Sequence, residues 1–283
     1  MPASGDRGGP VRRDAPIGVF DSGVGGLTVL KELRRQLPNE SMLYLGDEAR
    51  MPYGPRPAEE VRRFTREAMR WLSAREVKLI VLACNTATSV ALEMVREEIP
   101  IPILGVVRPG AAAALAASSK RAIGVLATDG TVRSGAYVRA LKDLDPFVDV
   151  RQQACPKLVP IVEAGEFAGP KARAAVEEYV GWMTRGPDGP LVDTLLLGCT
   201  HYPLLRPVIG DVVGPAVRVV DSATTTAFAV REVLVSHGML AAPGRPEHRL
   251  FTTSDTATFR RVARTLFGED LPAVEEVRLP EAA

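Results

Sequence analysis

The chain has 283 residues, of which 46% are hydrophobic and 24% are charged, and its formal net charge is +1. This composition is typical of a globular protein, and the length suits two modest domains. The near-zero charge excludes a whole-chain attraction to nucleic acid or to membranes, so we expect neither as a partner. Because we find no apolar run of about 18 residues and no signal-peptide pattern, we expect a cytoplasmic protein.

Residues 1–15 are rich in Gly, Pro and Arg, and we predict that they form a disordered N-terminal extension. After them, short runs rich in Val, Ile and Leu alternate with patterns of helical period. The apolar runs predict buried strands at 17–20, 42–45, 79–83, 103–107, 122–126, 194–197 and 217–220. The helical patterns predict helices at 27–36, 58–74, 87–97, 110–117, 134–142 and 171–184.

This alternation predicts an α/β fold with mostly parallel sheets flanked by helices. Two pairs of segments also resemble each other, LIVLACNTAT with TLLLGCTHYP and IGVFDSG with IGVLATDG. The resemblance favours two similar α/β domains over chance similarity among strand–helix units. We place the first domain at 16–107 plus 223–283 and the second at 108–222.

The three cysteines, an odd and low number, are expected to be free thiols. Cys84 and Cys199 each follow a predicted strand and precede Thr or Asn-Thr. Backbone N–H groups and a helix N-terminus can stabilise a thiolate there. Two such settings in matching halves favour a functional role over two inert buried thiols. Cys155 has no comparable setting in the sequence, and we predict that it is structural or incidental.

Two thiols that face one substrate suit racemisation, because one thiolate can remove an α-proton while the opposite thiol returns one. The α-proton of an amino acid is far less acidic than a thiol, so the site must also stabilise the developing carbanion. The cysteines lack CxxC spacing and the three histidines lack HxxxH spacing. We therefore expect no metal site.

The turn Asp21–Gly26, DSGVGG, follows the first predicted strand. Asp21 could bind a substrate ammonium or tune a thiol, and Ser22 could bind a carboxylate. The glycines match a phosphate-binding loop only weakly, because neither GxGxxG nor GxxxxGK[ST] is present. A plain strand-to-helix turn capped by Asp or Ser is the alternative.

Polar residues also flank both predicted catalytic cysteines, and they could hold the substrate carboxylates: Asn85, Thr86 and Thr88 beside Cys84, and Thr200 and His201 beside Cys199. His201 could help to ionise or protonate a neighbouring thiol, or could be a structural histidine. The backbone of the loop at Tyr53 and Gly54, PYGPR, could approach the substrate, although Pro and Gly also punctuate ordinary loops. His237 and His248 are interpreted as surface residues.

Together these motifs resemble the glutamate racemases of bacterial cell-wall synthesis. The matching pieces run in order from about residue 17 to residue 223: GVFDSGVGGLTVLKEL, YLGDEARMPYGPR, LACNTAT, GVLATDGTVRSGAY, LLLGCTHYPLL and VDSA. The resemblance implies two α/β domains with the active site in the cleft between them. It also implies a homodimer that uses neither pyridoxal phosphate nor a metal and that supplies D-glutamate for peptidoglycan.

The same resemblance implies roles for individual residues. Cys84 would serve the D-glutamate direction with Asp21 as its helper, and Cys199 the L-glutamate direction with His201 as its helper. The substrate-binding residues would be Asp21, Ser22, Tyr53, Gly54, Asn85, Thr86, Thr200 and His201. Glu163 is expected near the substrate ammonium or the other domain.

Three other functions compete with this interpretation. An aspartate or broader amino-acid racemase would use the same two thiols. A single-cysteine hydrolase or thiol transferase would use Cys199 with His201 as a nucleophile pair, which leaves Cys84 unexplained. A binding protein that keeps a racemase sequence, such as one acting on DNA gyrase, gains no support from the near-neutral charge.

Overall fold

The computed structural model describes residues 12–187 and 189–280. Most of the predicted disordered extension, residues 1–11, lies outside the described residues. Residues 12–15 form a turn in which the Ala15 N–H donates to the Arg12 carbonyl oxygen at 3.1 Å.

Strands and helices alternate along the described part of the chain. The strands are β1 (Ile17–Asp21), β2 (Met42–Gly46), β3 (Leu79–Leu82), β4 (Ile103–Gly105), β5 (Ala122–Ala127), β6 (Asp149–Ala154), β7 (Thr194–Gly198), β8 (Arg218–Asp221), β9 (His248–Thr252) and β10 (Val274–Glu276). The helices are α1 (Leu27–Gln36), α2 (Ala58–Ser73), α3 (Asn85–Glu98), α4 (Val107–Ala117), α5 (Asp129–Ser134), α6 (Ala136–Leu144), α7 (Leu158–Glu163), α8 (Pro170–Thr184), α9 (Arg206–Val213), α10 (Ala223–Ser236) and α11 (Thr256–Phe267). Short 3-10 turns lie at Glu48–Arg50, Tyr202–Leu205 and Gly268–Asp270.

The strands form two parallel sheets. The first sheet has six strands in the order β10-β9-β2-β1-β3-β4, and the second has four in the order β6-β5-β7-β8. In each sheet the central strand pairs in parallel with both neighbours, β1 with β2 and β3, and β5 with β6 and β7. Parallel neighbours need crossover connections, which here contain helices that cover the sheets. The predicted α/β architecture of two parallel sheets flanked by helices is confirmed.

Burial on both faces explains the nearly continuous apolar runs of the central strands. Side chains of β1 alternate between the two faces, with Ile17 and Val19 in a core formed with α1, α10 and α11. Phe20 belongs to the opposite core, formed with α2 and α3. The second sheet is sandwiched in the same way, with α7, α8 and α9 on one face and α4 and α6 on the other.

Some predicted elements differ from the structure. The strand predicted at 103–107 ends at Gly105 because α4 begins at Val107. The helix predicted at 134–142 begins only at Ala136, since Gly135 separates α5 from α6 with a positive φ of 64°. Strand β6, DVRQQA, was not predicted because it is an edge strand and lacks an apolar run.

The two sheets are built from different stretches of the chain. The first sheet uses strands between Ile17 and Gly105 and returns with β9 and β10, whereas the second uses strands between Ala122 and Asp221. Helices α4 and α10, which connect the two sheets, pack against each other. The domain boundaries given above stay a prediction. No helix in the described part of the chain is long and apolar enough to cross a membrane.

Candidate active site

A cavity of about 270 Å³ lies where the carboxyl ends of both sheets meet. Open parallel sheets commonly hold ligands at this edge. The cavity is lined by Ser22, Met51, Pro52, Tyr53, Gly54, Pro55, Cys84, Asn85, Thr86, Thr128, Asp129, Cys155, Pro156, Val159, Pro160, Cys199, Thr200 and His201. Nine of the ten predicted site residues therefore line one cavity, and Asp21 lies behind this lining.

Cys84 lies between the first sheet and a helix N-terminus. Strand β3 ends at Leu82, α3 begins at Asn85, and Cys84 is the N-cap, whose Sγ accepts the Ala87 N–H at 3.4 Å. Its thiol also lies 3.5 Å from the Ser22 hydroxyl oxygen, to which it donates. Burial raises the pKa of Cys84 to about 12, and the nearby carboxylate of Asp21 adds to this effect. The two hydrogen bonds oppose the rise.

Cys199 directly follows β7 of the second sheet and lies beside a charged histidine. Its Sγ is 3.8 Å from His201 Nδ1, and His201 Nε2 is 2.5 Å from Glu163 Oε1. Burial disfavours a charged imidazole, but the hydrogen bonds and negative charges of Cys199 and Glu163 outweigh it. The pKa of His201 consequently lies well above its usual value. A positive ring therefore lies next to this thiol.

Asp21 links the two halves of the site from behind. It is fully buried at the end of β1, where Oδ1 accepts the Gly23 N–H and Oδ2 accepts the Thr200 hydroxyl, both at 3.0 Å. Burial raises the pKa of Asp21, and the charge of His201 partly offsets that rise. Its carboxylate is placed to act on the thiols and on Thr200 more readily than on a ligand in the cavity.

Asn85 and Thr86, the first residues of α3, present polar groups to the cavity. Asn85 Nδ2 donates to the Tyr137 hydroxyl oxygen at 2.7 Å, and its Oδ1 is buried without a hydrogen-bond partner among the described residues. Thr86 Oγ1 lies 2.8 Å from Thr128 Oγ1 on the second half. Thr88 donates instead to the Leu82 carbonyl and does not line the cavity.

The loop at Tyr53 and Gly54 lines the cavity, and the Tyr53 hydroxyl is already hydrogen-bonded within the protein. Tyr53 Oη donates to Asp47 Oδ2 at 2.5 Å, and Arg50 binds the same carboxylate at 2.7 Å. The Gly54 carbonyl accepts the Gly130 N–H at 2.8 Å, which joins the loop to the second half. Only the backbone and ring of Tyr53 are available to a ligand.

Close approach of the two halves accounts for a glycine of the DSGVGG turn. A Cβ at Gly25 would lie 2.5 Å from both His201 Nδ1 and Thr200 Oγ1. The Thr28 hydroxyl, at the start of α1, also lies 3.3 Å from the Thr200 carbonyl oxygen. This turn therefore packs against protein atoms of the second half, which favours a packing role over a phosphate cradle.

The prediction that Cys155 lacks a strand-end setting is wrong. Cys155 directly follows β6, its N–H donates to the Ala127 carbonyl, and the residue lines the cavity. Because β6 was not predicted, this setting was invisible in the sequence. His248 is also not a simple surface residue, since it is half-buried in β9 and burial lowers its pKa to about 4. His237 is exposed.

Thr128 and Asp129 were not among the predicted site residues, although the strand-end position of Thr128-Asp129 in IGVLATDG was a usable signal. Glu163 was expected near the substrate ammonium or the other domain, and in the structure its carboxylate contacts His201. In the described part of the chain, no group of three or more His, Cys, Asp and Glu side chains is arranged to hold a metal ion.

Known proteins match both the sequence and the structure. The family model for Asp/Glu/Hydantoin racemase matches residues 17–230. A glutamate racemase of Oceanobacillus iheyensis is 45% identical over 257 residues, which cover 90% of this chain and 93% of that protein.

Two solved glutamate racemases have the same fold. An isoform from Bacillus anthracis is 40% identical with a TM-score of 0.88, over 96% of this chain and 100% of that one. The Francisella tularensis protein, in complex with D-glutamate, is 31% identical with a TM-score of 0.86, over 94% and 98%. The chain therefore belongs to the Asp/Glu/Hydantoin racemase family and is a racemase.

Proposed function

We propose that this protein is a cofactor-independent glutamate racemase that moves the α-proton between Cys84 and Cys199. The observation that carries the proposal is that one thiol from each sheet lines the same cavity. The charge of Cys199 is also among the causes that raise the pKa of Cys84, so the two thiols influence each other. The name of the 45% identical relative and the D-glutamate bound to the Francisella tularensis protein support glutamate as the substrate.

In the L-to-D direction, the Cys199 thiolate takes the α-proton of L-glutamate. The Cys84 thiol then gives its proton to the opposite face of the carbanion, which forms D-glutamate. Cys199 ends as a thiol and Cys84 as a thiolate, and the D-to-L direction is the reverse of these steps. One proton leaves the substrate and one returns, so no oxidant, reductant or electron sink is consumed.

The surroundings of the two thiols differ in a way that suits their paired roles. The charged ring of His201 lies 3.8 Å from the Cys199 sulfur, so this thiol has a cation beside it. Burial and Asp21 keep Cys84 protonated until the substrate is bound, so Cys84 is ready as an acid. Once ionised, a thiol of raised pKa is also the stronger base, as the reverse direction requires.

Helix N-termini supply the positive potential that the substrate carboxylates need. Arg and Lys are absent from the described cavity lining, whereas α3 begins at Asn85 and α5 at Asp129, both on the cavity wall. Free N–H groups at such termini bind carboxylates and stabilise charge that develops on them in a carbanion. The buried Oδ1 of Asn85, which lacks a partner among the described residues, is suited to accept a hydrogen bond from the substrate ammonium.

The other assigned residues complete this scheme. Ser22, Thr86, Thr200 and the backbone at Tyr53 and Gly54 hold the substrate, while Asp21 and His201 adjust the two thiols. We further propose a cytoplasmic homodimer whose D-glutamate feeds peptidoglycan and thereby cell shape. A reducing compartment agrees with three free cysteines, two of which must stay reduced to react.

The first test follows L-glutamate in heavy water with protein freed of pyridoxal phosphate and metals. We expect the circular dichroism of the amino acid to decay to zero while deuterium enters the α-carbon. Early in the reaction, deuterium should appear in D-glutamate but not in recovered L-glutamate, because separate thiols remove and return the proton. Reaction with L-aspartate alone would make the substrate assignment wrong. No reaction with either amino acid would favour the hydrolase or binding functions.

The second test compares three variants, in each of which one cysteine is replaced by serine. Cys84→Ser and Cys199→Ser should each nearly abolish racemisation in both directions, because every turnover uses both thiols. Cys155→Ser is the matched control, since Cys155 is buried and lines the same cavity but has no assigned role. Wild-type turnover in either of the first two variants would refute the two-thiol mechanism.

A further inference from the structure

Tyr137 lies between the two strand ends that carry Cys84 and Cys199. It is the second residue of α6 and is fully buried. Its hydroxyl oxygen accepts a hydrogen bond at 2.7 Å from Nδ2 of Asn85, the residue after Cys84. On its other side, a Cβ at Gly198, the residue before Cys199, would lie 2.9 Å from Tyr137 Cε2. One side chain therefore lies against the chain neighbours of both thiols.

The core of the second half holds the ring of Tyr137. The ring belongs to a buried cluster that also contains Val107 of α4 and Leu196 of β7. A Cβ at Gly110, also in α4, would lie 3.2 Å from Tyr137 Oη. Because a ring enclosed in this way has little room to move, packing fixes the position of its hydroxyl relative to Asn85.

The hydroxyl of Tyr137 is a neutral hydrogen-bonding group. Phenylalanine would fill the same core, and burial of a hydroxyl is unfavourable unless the hydroxyl forms a hydrogen bond. Burial also raises the pKa of Tyr137, and a charge on Cys199 adds to that rise. The hydroxyl therefore stays protonated at neutral pH, so it serves as a partner for Asn85 and not as an acid or a base.

The amide of Asn85 carries two atoms of opposite character. Nδ2 donates and Oδ1 accepts, so a rotation by about 180° exchanges what this side chain offers to a ligand. With Nδ2 bound to Tyr137, Oδ1 stays buried without a partner among the described residues. The substrate ammonium can only donate, and it would satisfy this oxygen. An amide rotated the other way would meet the ammonium with its own N–H groups, which is unfavourable.

We propose that Tyr137 is a positioning residue, whose hydroxyl holds the Asn85 amide with Oδ1 free to accept a hydrogen bond from the substrate ammonium. Tyr137 is absent from the described lining of the candidate active site, so it acts through Asn85 and does not contact the substrate. A side chain of the second half thereby orients a substrate-binding group of the first half. This role rests on the proposed function, but the hydrogen bond itself can be tested without turnover.

The hydrogen bond is directly observable because the chain contains only two asparagines, Asn39 and Asn85. Protein labelled with ¹⁵N at the asparagine side-chain amides should give two pairs of proton signals, and Asn85→Ala identifies the pair that belongs to Asn85. In the wild type, one Asn85 proton should exchange slowly with water, whereas those of the exposed Asn39 exchange fast. In Tyr137→Phe, the Asn85 signals should shift, and the slow proton should exchange at least about tenfold faster.

Steady-state kinetics test the positioning role. Tyr137→Phe should raise KM for L- and D-glutamate about tenfold and leave kcat within about threefold, because the ammonium is bound equally in the substrate and in the transition state. In the Asn85→Ala background, Tyr137→Phe should change KM by less than about twofold, since the hydroxyl acts only through the amide. Tyr179→Phe is the matched control. It removes a hydroxyl that accepts the Lys157 N–H on the opposite face of the second sheet, and it should leave the amide signals and both kinetic constants unchanged.

Several outcomes would overturn the proposal. Asn85 protons that both exchange as fast as those of Asn39, or Asn85 signals that Tyr137→Phe leaves unchanged, would exclude the hydrogen bond. A fall in kcat at unchanged KM, or independent effects of Tyr137→Phe and Asn85→Ala, would exclude the positioning role. A lower urea midpoint with unchanged KM would mean that Tyr137 only stabilises the fold. Absence of glutamate racemisation by the wild type would count against the proposed function, while the amide signals would still decide whether Tyr137 holds Asn85.

Discussion

Gly25→Ala would perturb the contact between the two halves at His201 and Thr200. The added Cβ would lie 2.5 Å from both His201 Nδ1 and Thr200 Oγ1, whereas ordinary contact begins at 3.4 Å. One side or the other must therefore retreat by about 0.9 Å. Overpacking of this kind costs about 1–3 kcal/mol of stability. Displacement of a catalytic group by about 1 Å can lower a rate about 10²-fold.

The assay is racemisation of L- and D-glutamate followed by circular dichroism, with urea unfolding of the same samples. We expect kcat to fall about 10²-fold in both directions, because the ring next to Cys199 moves and Thr200 leaves Asp21. Gly181→Ala is the matched control, since a Cβ there meets nothing within 4 Å inside α8. That variant should be fully active and more stable by about 0.5–1 kcal/mol.

A Gly25→Ala enzyme that keeps kcat within about twofold of wild type would refute this reasoning, because it would mean that a shift of about 1 Å at His201 does not matter. The loss of activity should also exceed the loss of stability. If activity fell only in proportion to the fraction of unfolded protein, Gly25 would be required for folding and not for the geometry of the site.

Three further predictions concern charged groups. Glu163→Gln removes the carboxylate 2.5 Å from His201 Nε2 and should lower the pKa of His201. The alkaline limb of the pH–rate profile with L-glutamate should therefore move to lower pH. An unchanged profile would contradict the contact between Glu163 and His201. Burial raises the pKa of Glu48 from 4.5 to about 7, so the folded protein binds this proton more tightly than the unfolded chain. The contribution of this group to the free energy of unfolding is therefore lost as the pH rises from about 4.5 to about 7. In Glu48→Gln, urea midpoints at about pH 5 and about pH 8 should therefore differ less than in wild type, and an equal difference would exclude Glu48 as the cause. Lys78 is fully buried, with its Nζ 2.5 Å from a carboxylate oxygen of Glu40. Lys78→Met should therefore lower the free energy of unfolding by about 3–5 kcal/mol, and Lys78→Met/Glu40→Leu should recover part of that loss. A loss below about 1 kcal/mol in Lys78→Met would contradict the buried ion pair.

Local patterns determined most of the fold. The central strands are apolar on both faces because helices cover both faces of each sheet, and such apolar runs are easily recognised in the sequence. The same locality made Cys84 and Cys199 recognisable, since each follows its strand by no more than two residues. Edge strand β6 lacks that signal because its side chains are only partly buried, and the position of Cys155 was missed with it.

Contacts between residues distant in sequence were decided by the tertiary structure alone. Asp21 meets Thr200 across 179 residues of chain, and Glu163 meets His201 across 38. Spacing along a chain determines which face of a strand or helix a side chain occupies. It does not determine which face of which distant element comes to lie opposite, because that depends on how the two sheets pack together.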